Sequence, residues 1–214
     1  MQIQTIADLR EDYHLSELLE EQAPANPLTL FDVWLQAALE TLGPTATAMT
    51  LATAHSTGQP SARTVLLKGV ERGTFVFFGN YASRKGQDLQ ANDRAALLFF
   101  WPNLQRQVRI DGQVRRVPTA ESDAYFASRP RESQLGAWAS PQSQRLADRA
   151  ELETRLADVQ QQFGDGPVPR PPHWGGWGLT PQGIEFWQGR ASRLHDRLVY
   201  TAGVQGWDRQ RLAP

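Results

Sequence analysis

Near the C-terminus Arg193, His195 and Arg197 stand at alternate positions, and alternate residues of a strand share a face. Two guanidiniums flanking an imidazole would make a rigid, anion-attracting surface. The same row would also suit the solvated face of an edge strand. On that reading Leu194 and Leu198 point to the opposite side. A second cluster, Ser83-Arg84-Lys85, follows an apolar run and opens a short helical stretch. Cations in a first turn oppose the helix dipole, which fits an anion held at the N-terminus or a charged surface turn. Arg63 and Lys68 bracket an apolar run. Their odd spacing puts them on opposite faces of a regular strand, serving different ligands, unless a bulge intervenes. Tyr125 and Arg129 lie four apart at a predicted helix end, with Ser133 beyond Pro130. Hydroxyl, guanidinium and hydroxyl suit a phosphate monoester, or simply the polar end of a helix. Trp187 reads as core or as a cofactor contact.

The 214-residue chain carries 22 basic and 23 acidic residues, so any anion site must be built locally and no global field recruits nucleic acid. Lys68 and Lys85 are its two lysines, and both fall inside these motifs. A compact ammonium fits where a planar guanidinium does not. The absence of cysteine excludes disulfides, thiolate metal sites and cysteine nucleophiles. Phosphate-loop, dinucleotide-fold, zinc-protease and hydrolase signatures are missing, and the four histidines lack metal-ligand spacing. Without a signal pattern or an apolar run near 18 residues, the expected address is the cytoplasm.

These side chains need a framework. Leucines 15, 18 and 19 suggest a helix over 13–21, and Thr29 with Asp32 suggests the cap of a second one, ended by Gly43-Pro44. Runs 46–54, 63–70, 74–78, 95–101 and 105–117 read as strands joined by short turns, which favours antiparallel pairing. Residues 119–128 and 145–163 return to helical spacing, 164–178 read as a loop, and 183–188, 193–201 and 206–212 as closing strands. A tail of three strands with no helix to pack against is not expected to fold alone. The expectation is one domain over 1–214, mainly β with flanking helices (α+β), its sheet closed into a barrel that hides its edges.

Taken in order, the motifs resemble the pyridoxamine 5′-phosphate oxidase family. The likeness begins at Leu9–Tyr13 and Pro27–Phe31 and runs through Arg63–Lys68, Ser83–Lys85, Gln105–Val108, Tyr125–Trp138, Gln142-Ser143 and Trp174–Gly176. It ends through Ile184–Gly189, Arg193–Arg197 and Arg211–Pro214. The resemblance implies an antiparallel FMN-binding split barrel, acting as a homodimer with two flavin sites between protomers. It assigns FMN to Arg63, Lys68, Phe78, Gly79, Arg84, Lys85, Gln107, Gln142, Ser143, Trp187 and Arg197. It assigns the substrate phosphate to Lys68, Tyr125, Arg129 and Ser133, and the pyridine ring to Arg193 and His195, the catalytic candidates. Arg10 and Tyr13 belong to a segment, within 1–26, that would cover the substrate. Two stretches depart from the pattern: Phe78-Gly79 stands where the family often has tyrosine and threonine, and Arg190–Ser192 is atypical.

The implied activity is oxidation of pyridoxamine or pyridoxine 5′-phosphate to pyridoxal 5′-phosphate, with O2 as acceptor and H2O2 as by-product. The alternatives are another FMN split-barrel oxidoreductase and a non-catalytic pyridoxal-phosphate binder. Lys68, Tyr125, Arg129 and Ser133 weigh against a non-phosphorylated substrate. Arg193 and His195 weigh against a mere binder.

Overall fold

The computed structural model describes residues 12–214; Arg10 and the rest of the Leu9–Tyr13 motif before Asp12 lie outside them. Among the described residues nine strands form one antiparallel-paired sheet: β1 (Ala48–Ala54), β2 (Pro60–Leu66), β3 (Gly69–Glu71), β4 (Thr74–Asn80), β5 (Arg94–Trp101), β6 (Arg106–Arg116), β7 (Trp174–Gln188), β8 (Asp196–Gly203) and β9 (Gly206–Arg211). The order is β2-β1-β5-β6-β7-β4-β3, with β8 on β7 and β9 on β8. This ladder is open, ending at β2 and β3, so the expected closure into a continuous barrel is not made by hydrogen bonds. Among the described residues five α-helices accompany it: α1 (Pro27–Leu42), α2 (Arg84–Ala91), α3 (Thr119–Ser128), α4 (Arg131–Ala139) and α5 (Arg149–Phe163). Among the described residues no helix is long and apolar enough to cross a membrane.

The contacts divide the chain into two compact units, each discontinuous in sequence. The first holds 12–48, 98–110 and 182–214. Its core is aromatic: Phe31 lies edge-on to Phe99 at 5.2 Å, and Trp34 to Phe186 at 5.2 Å. α1 buries Leu30, Phe31, Trp34 and Ala38, the spacing of one helical face. Its cap is Asn26, whose Oδ1 accepts from Leu28 N at 3.0 Å, with Pro27 in the first turn. Thr29 is therefore inside the helix rather than at its start.

The second unit holds 49–97 and 111–181. The first half of β7, Trp174–Leu179, pairs with β4, while its later half, Gly183–Gln188, pairs with β8 in the first unit. The part of β7 through Gly178 was expected to be loop. It is strand because Gly175, Gly176 and Gly178 leave room: a Cβ on Gly176 would meet Val117 Cγ2 at 2.4 Å and Phe78 Cε1 at 2.7 Å. Beside it Phe126, Leu135, Val168 and Trp174 form a buried cluster covered by Leu156, Val159 and Phe163 of α5. α5 starts at Arg149, later than its apolar spacing suggested, because Asp148 accepts from Glu151 N and Glu151 Oε2 from Ala147 N.

Two further expectations change. Residues 12–19 are not helical; only Glu20–Gln22 make a 3-10 turn. Their amides are taken by side chains instead: Gln105 Oε1 accepts from His14 N and Leu15 N, and Asp196 Oδ2 from Leu18 N. The strand expected from Arg193 begins only at Asp196. Ser192 and Arg193 have left-handed backbones, φ 55° and 61°, which no strand accommodates. Arg193 thus leaves the alternating row, and Leu194 is 70% exposed, whereas Leu198 is fully buried.

Two stability tests follow. Leu198→Ala should cost about 2–5 kcal/mol and Leu194→Ala no more than about 0.5 kcal/mol, read from denaturant unfolding. Gly176→Ala should cost about 1–3 kcal/mol through overpacking. An unchanged midpoint for Gly176→Ala would mean that β7 and β4 are not packed as described.

Candidate active site

In the second unit lies a cavity of about 1070 Å³ whose lining includes Arg63, Lys68, Phe78, Gly79, Arg84 and Lys85, together with Tyr125, Arg129, Ser133, Gln142 and Ser143. Eleven residues singled out in the sequence are thus brought to one place. Arg63 comes from β2, which stops at Leu66. Lys68 follows in the break before β3, with its amide donating to Val76 O at 2.8 Å. That interruption resolves the two-face problem: both cations line the same cavity. Arg129 sits in extended backbone between α3 and α4, and Ser133 is in the first turns of α4. α4 was not anticipated; Pro130, standing just before it, marks its start.

Arg63 is fastened from behind. Its Nη1 donates to Leu51 O at 3.0 Å, Thr53 Oγ1 at 2.8 Å and Ser61 O at 3.2 Å, and its Nη2 donates to Ser61 Oγ at 2.6 Å. Below it Asp88 is wholly buried. Asp88 accepts from Thr53 Oγ1 at 2.7 Å and Arg84 Nε at 2.9 Å, and lies 3.7 Å from Arg63 Nη2. Burial alone would raise the Asp88 carboxyl, but these donors and charges hold it below its usual range. Burial lowers both Arg63 and Arg129, with Arg84 adding repulsion at Arg63. Lys85, almost fully buried, donates to Gln142 Oε1 at 2.8 Å and Ser83 Oγ at 3.1 Å. Gly79 makes room for it: a Cβ there would meet Lys85 Cε at 2.7 Å. A side chain at position 79 would displace the tip of Lys85.

Phe78 stacks on Tyr125 at 3.9 Å and 16°, with Trp174 parallel to both. Arg129 lies over the Trp174 ring at 4.6 Å, and its buried Nη1 has no hydrogen-bond partner. A buried guanidinium nitrogen left unpaired is costly, and a ligand oxygen would satisfy it.

The remaining candidates among the described residues do not line this cavity; they belong to the first unit. Trp187 and Arg197 are register partners across β7 and β8. His195 lies 4.6 Å from the Trp187 ring, and Tyr13 lies 5.8 Å from Trp187 and 5.9 Å from His195. His195 Nδ1 accepts from Arg190 N at 3.1 Å, so the neutral ring carries its proton on Nε2 and presents a donor there. Burial, then the charge of Arg193, lowers its pKa and favours that neutral form, against an opposing pull from Asp196. Arg197 Nε donates to Glu185 Oε1 at 2.8 Å, which raises the Arg197 pKa. Gln107 is on β6 and Arg193 is exposed beyond the strand.

Sequence reasoning passed over Asp88, Glu185 and Gln105, the side chains that fasten the others. Asp88 had one visible signal, its i,i+4 spacing to Arg84. Glu185 and Gln105 fall inside the motifs Ile184–Gly189 and Gln105–Val108, but their fastening roles were not legible there, because their partners are distant in the chain.

Residues 35–163 match the family model described as pyridoxamine 5′-phosphate oxidase, and 174–214 the model described as pyridoxine 5′-phosphate oxidase C-terminal dimerisation region. A pyridoxine/pyridoxamine 5′-phosphate oxidase of Bordetella avium is 56% identical over 211 residues, covering 98% of this chain and 100% of the relative. One from Acaryochloris marina is 54% identical over 210 residues, covering 98% and 96%. The crystal structure of PhzG from Burkholderia lata, in complex with tetrahydrophenazine-1-carboxylic acid, is similar with a TM-score of 0.87 and 30% identity, over 94% of this chain and 99% of that one. A pyridoxamine 5′-phosphate oxidase-related, FMN binding protein from Nostoc punctiforme shares the fold at a TM-score of 0.71 and 18% identity, over 88% and 98%. The α+β architecture is the split barrel of these proteins. With its cationic cavity set on that fold and its relatives matched nearly end to end, the chain is an enzyme of the pyridoxamine 5′-phosphate oxidase family.

Proposed function

We propose that the protein is an FMN-dependent oxidase of pyridoxamine or pyridoxine 5′-phosphate that works as a homodimer with flavin sites between the protomers. The observation that carries this reading is one cavity with two phosphate-directed groups. Arg63, Arg84 and Lys85 with Gln142 and Ser143 suit the cofactor's phosphate. Lys68, Arg129, Tyr125 and Ser133 suit the substrate's. The unpaired Arg129 Nη1 and the space kept for Lys85 by Gly79 fit a phosphorylated ligand, as do the names of the relatives and the dimerisation region.

FMN, when bound, supplies the redox chemistry: an electron pair leaves the substrate's 4′ carbon and passes to O2, giving H2O2, and with pyridoxamine phosphate water releases ammonia to leave pyridoxal 5′-phosphate. The chain's own residues bind and orient. Arg129 and Lys68 hold the substrate phosphate, which fixes the distance of the 4′ carbon from it. Gln107, Trp187 and Arg197 are assigned to the flavin ring, Arg197 answering negative charge there. His195 donates from Nε2 to an acceptor on the pyridine ring, and Arg193 and Tyr13 confine that ring. Lys68 reaches both ligands in this assignment. A non-phosphorylated substrate would leave the Arg129 group without a partner.

The purified protein should be yellow and dimeric with one FMN per chain, measured by absorbance and sedimentation; a colourless monomer that takes up no added FMN defeats the reading. Arg129→Ala should raise KM for the phosphorylated substrate roughly tenfold to a hundredfold, the worth of a charge-assisted bond, with flavin content unchanged. Loss of flavin instead would move Arg129 to the other ligand.

Burial, with the charge of Arg63 adding to it, pushes the Lys85 ammonium down from 10.5 to about 8. Between these values the unfolded chain keeps a proton that the folded, ligand-free protein has released, so stability from this group rises with pH. Ligand-free protein should therefore gain stability relative to Lys85→Met between about pH 8 and 10, measured by thermal unfolding. Affinity for inorganic phosphate should fall over the same range as the ammonium loses its charge. A parallel pH course for both proteins would show that Lys85 is not so buried.

A further inference from the structure

In the first unit, three charged side chains cross the sheet in a row. Glu185 on β7 is 4% exposed. Its Oε1 accepts from Arg197 Nε on β8 at 2.8 Å, and its Oε2 lies 3.1 Å from Arg109 Nη2 on β6, an ion-pair contact without hydrogen-bond geometry. Glu185 and Trp187 are two apart on β7, and Gln107 and Arg109 two apart on β6, so each pair shares a face. The row therefore lies on the same sheet face as Gln107, Trp187 and Arg197, the three first-unit residues assigned above to the flavin ring. Glu185 and Arg109 are not among the residues assigned to either ligand.

The geometry of Arg197 is specific. Nε is held by Glu185, and Nη1 donates to Ala213 O at 2.7 Å. Two of the three guanidinium nitrogens are thus tied, leaving Nη2 to face a ligand. A carboxylate this buried is expensive unless it is paired, and pairing with two arginines gives the row a net positive charge whose strength depends on Glu185.

We infer that Glu185 is a positioning residue that aims Arg197 at the bound flavin and, with Arg109, sets how much positive charge the flavin meets. This rests on the reading that Arg197 belongs to the flavin site. Two-electron reduction adds negative charge to the flavin ring, and nearby charge shifts that equilibrium. Glu185→Gln keeps an acceptor for Arg197 Nε but removes the opposing charge, so the reduced form gains. Arg109→Gln, at a half-exposed side chain on the sheet surface, removes positive charge and leaves Glu185 less neutralised, so the reduced form loses.

The test uses the full-length protein loaded with FMN. Spectroelectrochemical titration should place the flavin midpoint of Glu185→Gln above wild type by about 30 mV, a tenfold shift in the two-electron equilibrium, and that of Arg109→Gln below it. Positioning is read separately, from FMN affinity of the apoprotein by fluorescence. Glu185→Ala should weaken FMN about tenfold, and in an Arg197→Ala background by less than twofold, because the residue to be aimed is gone. A merely structural lesion would weaken FMN equally in both backgrounds and move both midpoints in one direction; either result overturns the inference. Wild-type protein that binds no FMN would instead defeat the functional reading itself. Flavin bound normally, with Arg197→Ala at wild-type affinity and midpoint, would remove Arg197 from the flavin and this inference with it.

Discussion

Placing several cations around one cavity is the constraint on which the second unit depends. Like charges repel and each loses solvation on burial, yet Arg63, Lys68, Arg84, Lys85 and Arg129 all line one space. The buried carboxylate of Asp88 makes this tenable for two of them, holding Arg84 by Nε and lying close to Arg63. Carbonyls and hydroxyls do the same at Arg63, and Gln142 with Ser83 at Lys85. Arg129 is not fastened in this way: it rests on the Trp174 ring with one nitrogen unpaired. The cavity thus combines cations already fastened with Arg129, whose hydrogen bonding a ligand would complete, and that incompleteness points to chemistry.

The first unit solves a related problem with arginine. Residues 12–24 cross it with no regular structure but the 3-10 turn Glu20–Gln22, so most of their backbone groups need other partners. Arg211 donates to Leu18 O and Glu20, and to Asp196, whose other oxygen takes Leu18 N. Arg190 reaches Ser16 O and Glu17, Arg209 reaches Ala23 O, and Tyr200 OH reaches Pro24 O. The segment that carries Tyr13 to Trp187 and His195 is held by side chains of the C-terminal strands and the loop before them, so the order of one follows from the other. A planar guanidinium with five donors can satisfy a carbonyl and two carboxylates at once, which an ammonium does less well.

Much of this was legible in the sequence because it was local. Strands β4, β5 and β6 follow their apolar runs to within a few residues, and α3 runs over the residues its spacing indicated. Paired motifs such as Ser83-Arg84-Lys85 and Tyr125 with Arg129 carried their chemistry in their types. Other readings failed where a distant partner overruled a local pattern. The leucines at 15, 18 and 19 have helical spacing, but Gln105 and Asp196 claim the amides a helix would have used. The glycines of 175–178 look like loop until β4 and Val117 are seen to need their missing side chains. Arg193 looked like part of a strand because residue types alone do not show that Ser192 and Arg193 turn left-handed.

The sequence by itself determined the residue types that could bind phosphate, the antiparallel character of the sheet and the family to which the motifs belong, because each of these depends on short-range order. Tertiary structure alone decided that Arg63 and Lys68 share a cavity, since only the break after Leu66 turns the second toward the first. It decided that Asp88 and Glu185 are the counter-charges, that Leu194 is exposed and Leu198 buried, and that His195 presents its Nε2 proton. Each of these depends on a partner brought near by folding, and electrostatics and hydrogen bonding act through space without regard to position in the chain.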